Sequence, residues 1–383
     1  MDFTFTEEQE AVSEAAAGLF EGLATPERVA AVEAGEDRVD EELWQELARA
    51  NLLGIAVPEA HGGSGLGMTE LSLVLEQQGR RVVPVPLWAT LVLGALPIAE
   101  FATAAQQARW LPGVAAGDVR LSAALTEVAA SRTHRPAVRA VRSGEGWRLD
   151  GTAAQVPQAH VAAAILVPAL SDEGVVIGIV DPAGAGASLE RAVTTDRQVH
   201  PHLHLDGYAL EGDDVLVGPA DGEAAVAWML ERAMVGLAAV AVGVCEEAVR
   251  ITAGYLNQRH QFGRPLSSFQ GTLLRAADAY IDTEAVRVTL WQAAWRMDTG
   301  RPATEAAMVA KWWAADAGQR VVHATQHLHG GMGADIEYPI HRYFLWGKQL
   351  ELMLEGPSAQ LARLGDALVE GLGRPVAGAA VGA

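Results

Sequence analysis

The sequence predicts a mostly α-helical chain with a β insert in its middle. Three observations carry this. Apolar residues recur at helical spacing over residues 2–118 and again over 223–368. Between about 119 and 220 the pattern changes to short alternating runs punctuated by Gly, Pro and Asp. Finally, a long alanine-rich run from about Glu231 enters a polar corner at 259–270, and a second long run leaves it at Gly271, as two helices joined by a Gly- and Pro-containing turn do. The expected organisation is a helical domain over 1–118, a small antiparallel, barrel-like β domain over 119–220 and a helical bundle over 221–383.

The composition sets limits on function. The chain has 383 residues, half of them hydrophobic and 20% charged, which suits a globular protein with more than one core. Its formal charge of −20 excludes nucleic acid or an anionic membrane as a partner held by bulk electrostatics. An anionic ligand therefore needs locally concentrated positive charge. The single cysteine, Cys245, cannot form an internal disulfide and points to a reducing, cytoplasmic setting. The acidic N-terminal stretch does not read as a secretory signal. The longest unbroken apolar runs are short for a bilayer, and the one at 87–98 contains Pro97, so no membrane span is expected.

Taken in order, Thr6 and Gln9 form a capping-box pattern ahead of an alanine-rich helix. Leu43, Trp44 and Leu47 mark a helix over 40–50. The glycine cluster at 62–67 lacks the Gly-Lys-Ser/Thr ending of a phosphate loop, so it reads as a turn before a helix at 69–79. Strands are expected at 120–126, 138–143, 146–151, 160–168, 175–181 and 198–205. His200, His202 and His204 alternate and are expected on one strand face; no other ligand pattern supports a metal there, and a solvated face is the expectation. In the last third, Leu273, Ala277, Tyr280, Ile281, Val288, Trp291, Trp295, Val309, Trp312 and Trp313 recur near helical spacing, as a bundle core or a subunit interface does.

Two motifs stand out. The corner Arg259-His260-Gln261-Phe262-Gly263-Arg264-Pro265 offers an arginine for an anion and a phenylalanine for a flat ring. The bend His327-Leu328-His329-Gly330-Gly331-Met332-Gly333 has adjacent glycines that let backbone approach a ligand closely. In this order, and over nearly the whole chain, the sequence resembles the acyl-CoA dehydrogenase family. The resemblance implies an N-terminal helical domain, a middle β domain and a C-terminal four-helix bundle. It implies FAD as cofactor, with Arg259, Gln261, Phe262, His327, Gly330, Gly331 and Gly333 contacting the flavin dinucleotide of a neighbouring subunit. It also implies a dimer or tetramer, an acyl-CoA substrate and an electron-transfer flavoprotein as electron acceptor.

The reaction of that family needs a base for the α-proton of a thioester, a hydride acceptor and donors for the carbonyl oxygen. Glu355, in Leu354-Glu355-Gly356-Pro357-Ser358, resembles the family's Glu-Gly-Thr-Ser stretch and is the expected base, with Gly356 beside the substrate. Glu231 is the rival, two residues from where some members carry the base. Leu125-Thr126-Glu127 resembles the stretch that meets the flavin ring, and Ser131 lies where substrate contacts are expected. The glycines that normally follow are absent, and Gln155-Val156-Pro157 replaces the usual Trp-x-Thr. The half-site offered to a neighbour is thus intact and the half-site for the chain's own ring is eroded. Two readings follow: a dehydrogenase using Glu355, or a partner subunit completing the site of a heteromer, as in bacterial enzymes of steroid side-chain breakdown. A flavin-dependent tailoring reaction on the same fold is a third.

Overall fold

The structure, a computed structural model, describes residues 4–130 and 134–372. Helix α1 (Glu7–Leu23) begins with the expected reciprocal cap: Thr6 Oγ accepts from the Gln9 amide at 3.2 Å and Gln9 Oε1 accepts from the Thr6 amide at 3.0 Å. Helices α2 (Pro26–Ala34), α3 (Glu41–Arg49) and α4 (Met68–Arg81) follow. Leu43, Trp44 and Leu47 are buried from one face of α3, as their spacing requires. A wide π-helical segment (Trp88–Ala95) runs into α5 (Leu96–Phe101), and α6 (Ala104–Ala116) closes the N-terminal layer.

The middle of the chain is one eight-stranded sheet in the order β6-β7-β3-β2-β4-β5-β8, with β1 added beside β4. Its strands are β1 (Leu121–Ala123), β2 (Arg139–Ser143), β3 (Gly146–Ala153), β4 (Ala164–Ser171), β5 (Gly174–Val180), β6 (Ala187–Glu190), β7 (His202–Leu210) and β8 (Val215–Val217). The expected antiparallel pairing holds for most of the sheet, with the correction that β1 and β2 both meet β4 in parallel. The first strand is also shorter than expected: the chain turns as α7 (Thr126–Ala130), where Glu127, Ala129 and Ala130 are good helix formers. The three histidines do not share a face. His200 precedes β7 and is buried, whereas His202 and His204 lie on its polar side, where His204 Nε2 is 3.0 Å from Glu190.

The C-terminal layer contains α8 (Gly222–Gln258), α9 (Gln270–Asp298), α10 (Thr304–Leu328), α11 (Ile340–Leu352) and α12 (Pro357–Leu372). By length and composition α8 could cross a membrane, yet 78% of its most apolar window is buried inside the fold. It packs on α4 with almost no clearance. A Cβ at Gly79 would stand 2.0 Å from the Val240 carbonyl oxygen, and one at Gly243 2.0 Å from that of Glu76. Arg287 of α9 ties both helices, reaching Glu76 at 3.2 Å and Glu246 at 2.6 Å. The aromatic and aliphatic stripe of α9 is only partly core. Leu273, Tyr280, Ile281 and Val288 stay exposed on the single chain, while Leu290 is buried.

Candidate functional site

The first motif is a projecting hairpin. Helix α8 stops at Gln258, and β9 (His260–Gln261) turns back on β10 (Arg264–Pro265). Phe262 and Gly263, the two turn residues, both have positive φ, 54° and 78°. Such a turn matches the twist of paired strands, but only the glycine adopts it without strain. The Phe262 ring is nevertheless 92% exposed, so it gains little burial in return. Arg259 and Gln261 are exposed as well.

The second motif lies beside it. Tyr255, one turn before Arg259, donates its hydroxyl to the His329 carbonyl at 3.4 Å. Its ring stacks on His329 with centroids 4.5 Å apart, and Tyr338 closes the cluster. His329 immediately precedes Gly330, which has φ 59°. A Cβ built at Gly263, Gly330 or Gly331 would meet nothing within 4 Å. These glycines border open space, while Gly333 is packed under Gln326. His327 is exposed in the last turn of α10. Corner and bend thus form one outward-facing surface with an exposed guanidinium, an exposed ring and bare backbone. A guanidinium suits an anion, and an exposed ring suits a flat surface.

The inward cleft differs. Leu354 and Glu355 both adopt positive φ, 51° and 82°, a conformation that non-glycine residues rarely take and that sharp functional turns often hold. The Glu355 side chain is 8% exposed. Arg363 of α12 clasps its carboxylate with two parallel hydrogen bonds, Nε to Oε2 at 2.5 Å and Nη2 to Oε1 at 2.6 Å. The same guanidinium also donates to the Ala129 carbonyl and meets His134 Nε2. Burial, reinforced by Arg363, pushes His134 down to about 4, so at neutral pH it is uncharged beside the arginine. Leu230, Met234 and Met308 line the small cavity around this clasp. Glu231 does not reach it: its carboxylate accepts from Thr304 and lies 3.5 Å from Arg232.

On the middle-domain side, Leu125 is buried and the Thr126 hydroxyl is engaged with the Gln155 carbonyl at 3.1 Å. Trp88 lies against α8, donating to the Ala233 carbonyl at 3.1 Å where Gly236 leaves room for the indole. Ser131 lies outside the described residues. Among the described residues, a Cβ at Gly356 would meet only Leu352, at 3.8 Å.

The sequence reading missed Arg363, His134 and Lys311. Lys311 is fully buried in α10, and its ammonium donates to the carbonyls of Leu350, Glu351 and Glu355 at 3.1, 3.4 and 3.3 Å. It caps the C-terminal end of α11 and fixes the peptide of Glu355. Burial lowers it to about 7, against the opposing pull of Glu351 and Glu355. A lone lysine in the run 306–315 was a usable signal, because lysine is almost never fully buried without a partner. The Glu355–Arg363 spacing straddles a helix start and matches no familiar pairing pattern.

Residues 6–118 match the Acyl-CoA dehydrogenase N-terminal domain, and residues 220–365 match the Acyl-CoA dehydrogenase C-terminal domain. Acyl-CoA dehydrogenase FadE27 of Mycobacterium tuberculosis is 36% identical, over 97% of this chain and 99% of the relative. A chain from a variant of the Tcur3481-Tcur3483 steroid ACAD superposes with a TM-score of 0.90 at 49% identity, covering 96% of this chain and 99% of that one. A chain of the ChsE4-ChsE5 complex from Mycobacterium tuberculosis gives 0.91 at 36% identity, covering 98% and 100%. This chain belongs to the acyl-CoA dehydrogenase family. Its relatives are oxidoreductases acting on the CH–CH bonds of acyl-CoA thioesters.

Proposed function

We propose that this chain is one subunit of a two-component, FAD-dependent acyl-CoA dehydrogenase. It lends Arg259, Gln261, Phe262, His327 and the bend at Gly330, Gly331 and Gly333 to a dinucleotide whose ring is seated in the other subunit. The observation that carries this is the Glu355–Arg363 clasp. A base must have a free carboxylate facing the α-proton, and here both oxygens are held by a guanidinium inside a closed cleft. The names of two similar solved structures, each a pair of different components, support the same reading. One of those is described as a steroid ACAD, which makes a bulky acyl group on CoA the substrate class to test first. The family resemblance adds an electron-transfer flavoprotein as the acceptor.

When bound, FAD supplies the hydride acceptor. This chain's part is positioning: Arg259 neutralises phosphate charge, Phe262 covers a flat surface, and the glycines let backbone amides come close. A second reading keeps Glu355 as the base. It is favoured by the left-handed turn that Lys311 and Gln360 hold in place, Gln360 Nε2 donating to the Leu354 carbonyl at 2.7 Å. In that reading Arg363 must swing away when substrate enters.

Flavin stoichiometry separates the two. Expressed alone, the chain should be colourless; co-purified with a second chain of the same fold, the pair should hold one FAD per two chains. In the pair, Glu355→Gln should change turnover per bound flavin by less than about twofold, whereas loss of a general base costs roughly 10²–10⁴. A yellow single chain whose Glu355→Gln variant is inactive sinks the subunit reading in favour of the second.

A further inference from the structure

A separate cavity of ≈ 210 Å³ lies between the first turns of α2 and α11, the end of α4 and the outer half of α8. Three guanidiniums line it, Arg81, Arg250 and Arg342, against a single carboxylate, Glu247. Its remaining wall is apolar, with Val29 and Ile251 prominent. The protein as a whole carries −20, so this concentration of positive charge runs against the overall field.

Each arginine keeps donors to spare. Arg342 is 7% exposed and uses Nε alone, toward Glu33 at 3.1 Å; among the described residues its two terminal nitrogens have no hydrogen-bond acceptor. Glu33 is itself shared with Arg197, at 2.9 Å. Arg81 gives one nitrogen to Glu21 at 2.7 Å and stands 4.0 Å from Glu247. Arg250 takes both oxygens of Glu247, at 2.6 and 2.7 Å, which neutralises the one acidic group in the lining. Counting the outer partners as well, Arg81, Arg197, Arg250 and Arg342 face Glu21, Glu33 and Glu247, so one positive charge is left over. The first turns of two helices add their positive dipole ends, through Pro26 of α2 and Pro339 before α11. The unused Arg342 nitrogens are not sealed off inside the fold but open onto this cavity, so an anion entering it meets planar donors already in place.

We propose that this cavity binds a small oxyanion of the phosphate class, held by the free edges of Arg342 and Arg81 with Arg250 at the rim. The site is distinct from the Glu355 cleft and does not depend on the subunit reading. The probe is inorganic pyrophosphate added to the full-length protein, with sodium chloride at matched ionic strength as reference. Titration calorimetry should show saturable one-to-one binding, and pyrophosphate should raise Tm beyond the chloride reference. Arg342→Gln leaves Glu33 paired with Arg197 and should abolish binding. Arg250→Gln, at a side chain 65% exposed, should weaken it roughly tenfold, the value of about one charge-assisted hydrogen bond, with Tm in chloride alone reporting any cost of unpairing Glu247. Arg142→Gln, on β2, should bind like the unmodified protein. Stabilisation no greater than with chloride, or unchanged affinity in Arg250→Gln, overturns the assignment.

Discussion

The projecting corner of α8 and the cleft around Glu355 handle charge in opposite ways. At the corner, Arg259 and the Phe262 ring face outward, and three glycines border empty space. In the cleft, every charged group is satisfied from within: Glu355 by Arg363, and Arg363 also by Ala129. A surface left unsatisfied is addressed to something outside the chain. A closed ion pair is addressed to the fold itself. Within one polypeptide, the contrast separates the part that the proposed assembly would use from the part whose charges the fold pairs itself.

The sharpest way to break this contrast is to open the clasp. Glu355→Gln leaves a buried guanidinium without its carboxylate, and stability should fall by about 3–5 kcal/mol, read from the urea midpoint. Replacing Glu355 and Arg363 together by glutamine should recover most of that loss, since no buried charge is then left unpaired. At the other region, Arg259→Ala should leave stability nearly unchanged. It should weaken flavin retention in the assembled pair roughly ten- to hundredfold, the value of a charge-assisted contact, measured by flavin release on dilution.

Lys311 tests the support beneath the clasp. Lys311→Met leaves three carbonyls without their donor and should cost about 1–3 kcal/mol. Its pH dependence has a definite sign. The unfolded chain protonates this lysine below its ordinary 10.5, the folded chain only below about 7. Between those values the unfolded state holds more protons, so this group makes stability rise with pH, and the gain is lost as pH falls through about 7. The methionine variant should flatten that slope in denaturant midpoints taken at neutral and mildly alkaline pH. The smallest effect belongs to Phe262→Ser. With its ring out in solvent, stability should stay within about 0.5 kcal/mol of the original, while the assembled pair loses flavin faster.

The helix–sheet–helix order was legible because periods of 3.6 and 2 are local properties of sequence. The corner and the bend were legible as motifs, and their Gly and Pro residues mark the turns the chain makes there. What stayed hidden depends on tertiary neighbours. No local pattern shows that Arg363 folds back onto Glu355 or that Lys311 finds three carbonyls at the end of another helix. The parallel contact of β1 with β4 pairs Leu121 with Ala164, far apart in the chain, and leaves no mark in either segment's alternation. The stripe from Leu273 to Val288 has helical spacing, but spacing alone does not tell an inner face from one that a second chain would cover.

The glycine contacts between α4 and α8 have a mechanical consequence. Where two backbones touch with no side chain between them, there is nothing to repack, and sliding by even a methyl's width would collide with a carbonyl. The N-terminal layer and the long bundle helix therefore behave as a single girder. Any opening that admits a ligand must come from the parts bolted onto it: the sheet, the hairpin tip, or the last helix that carries Arg363.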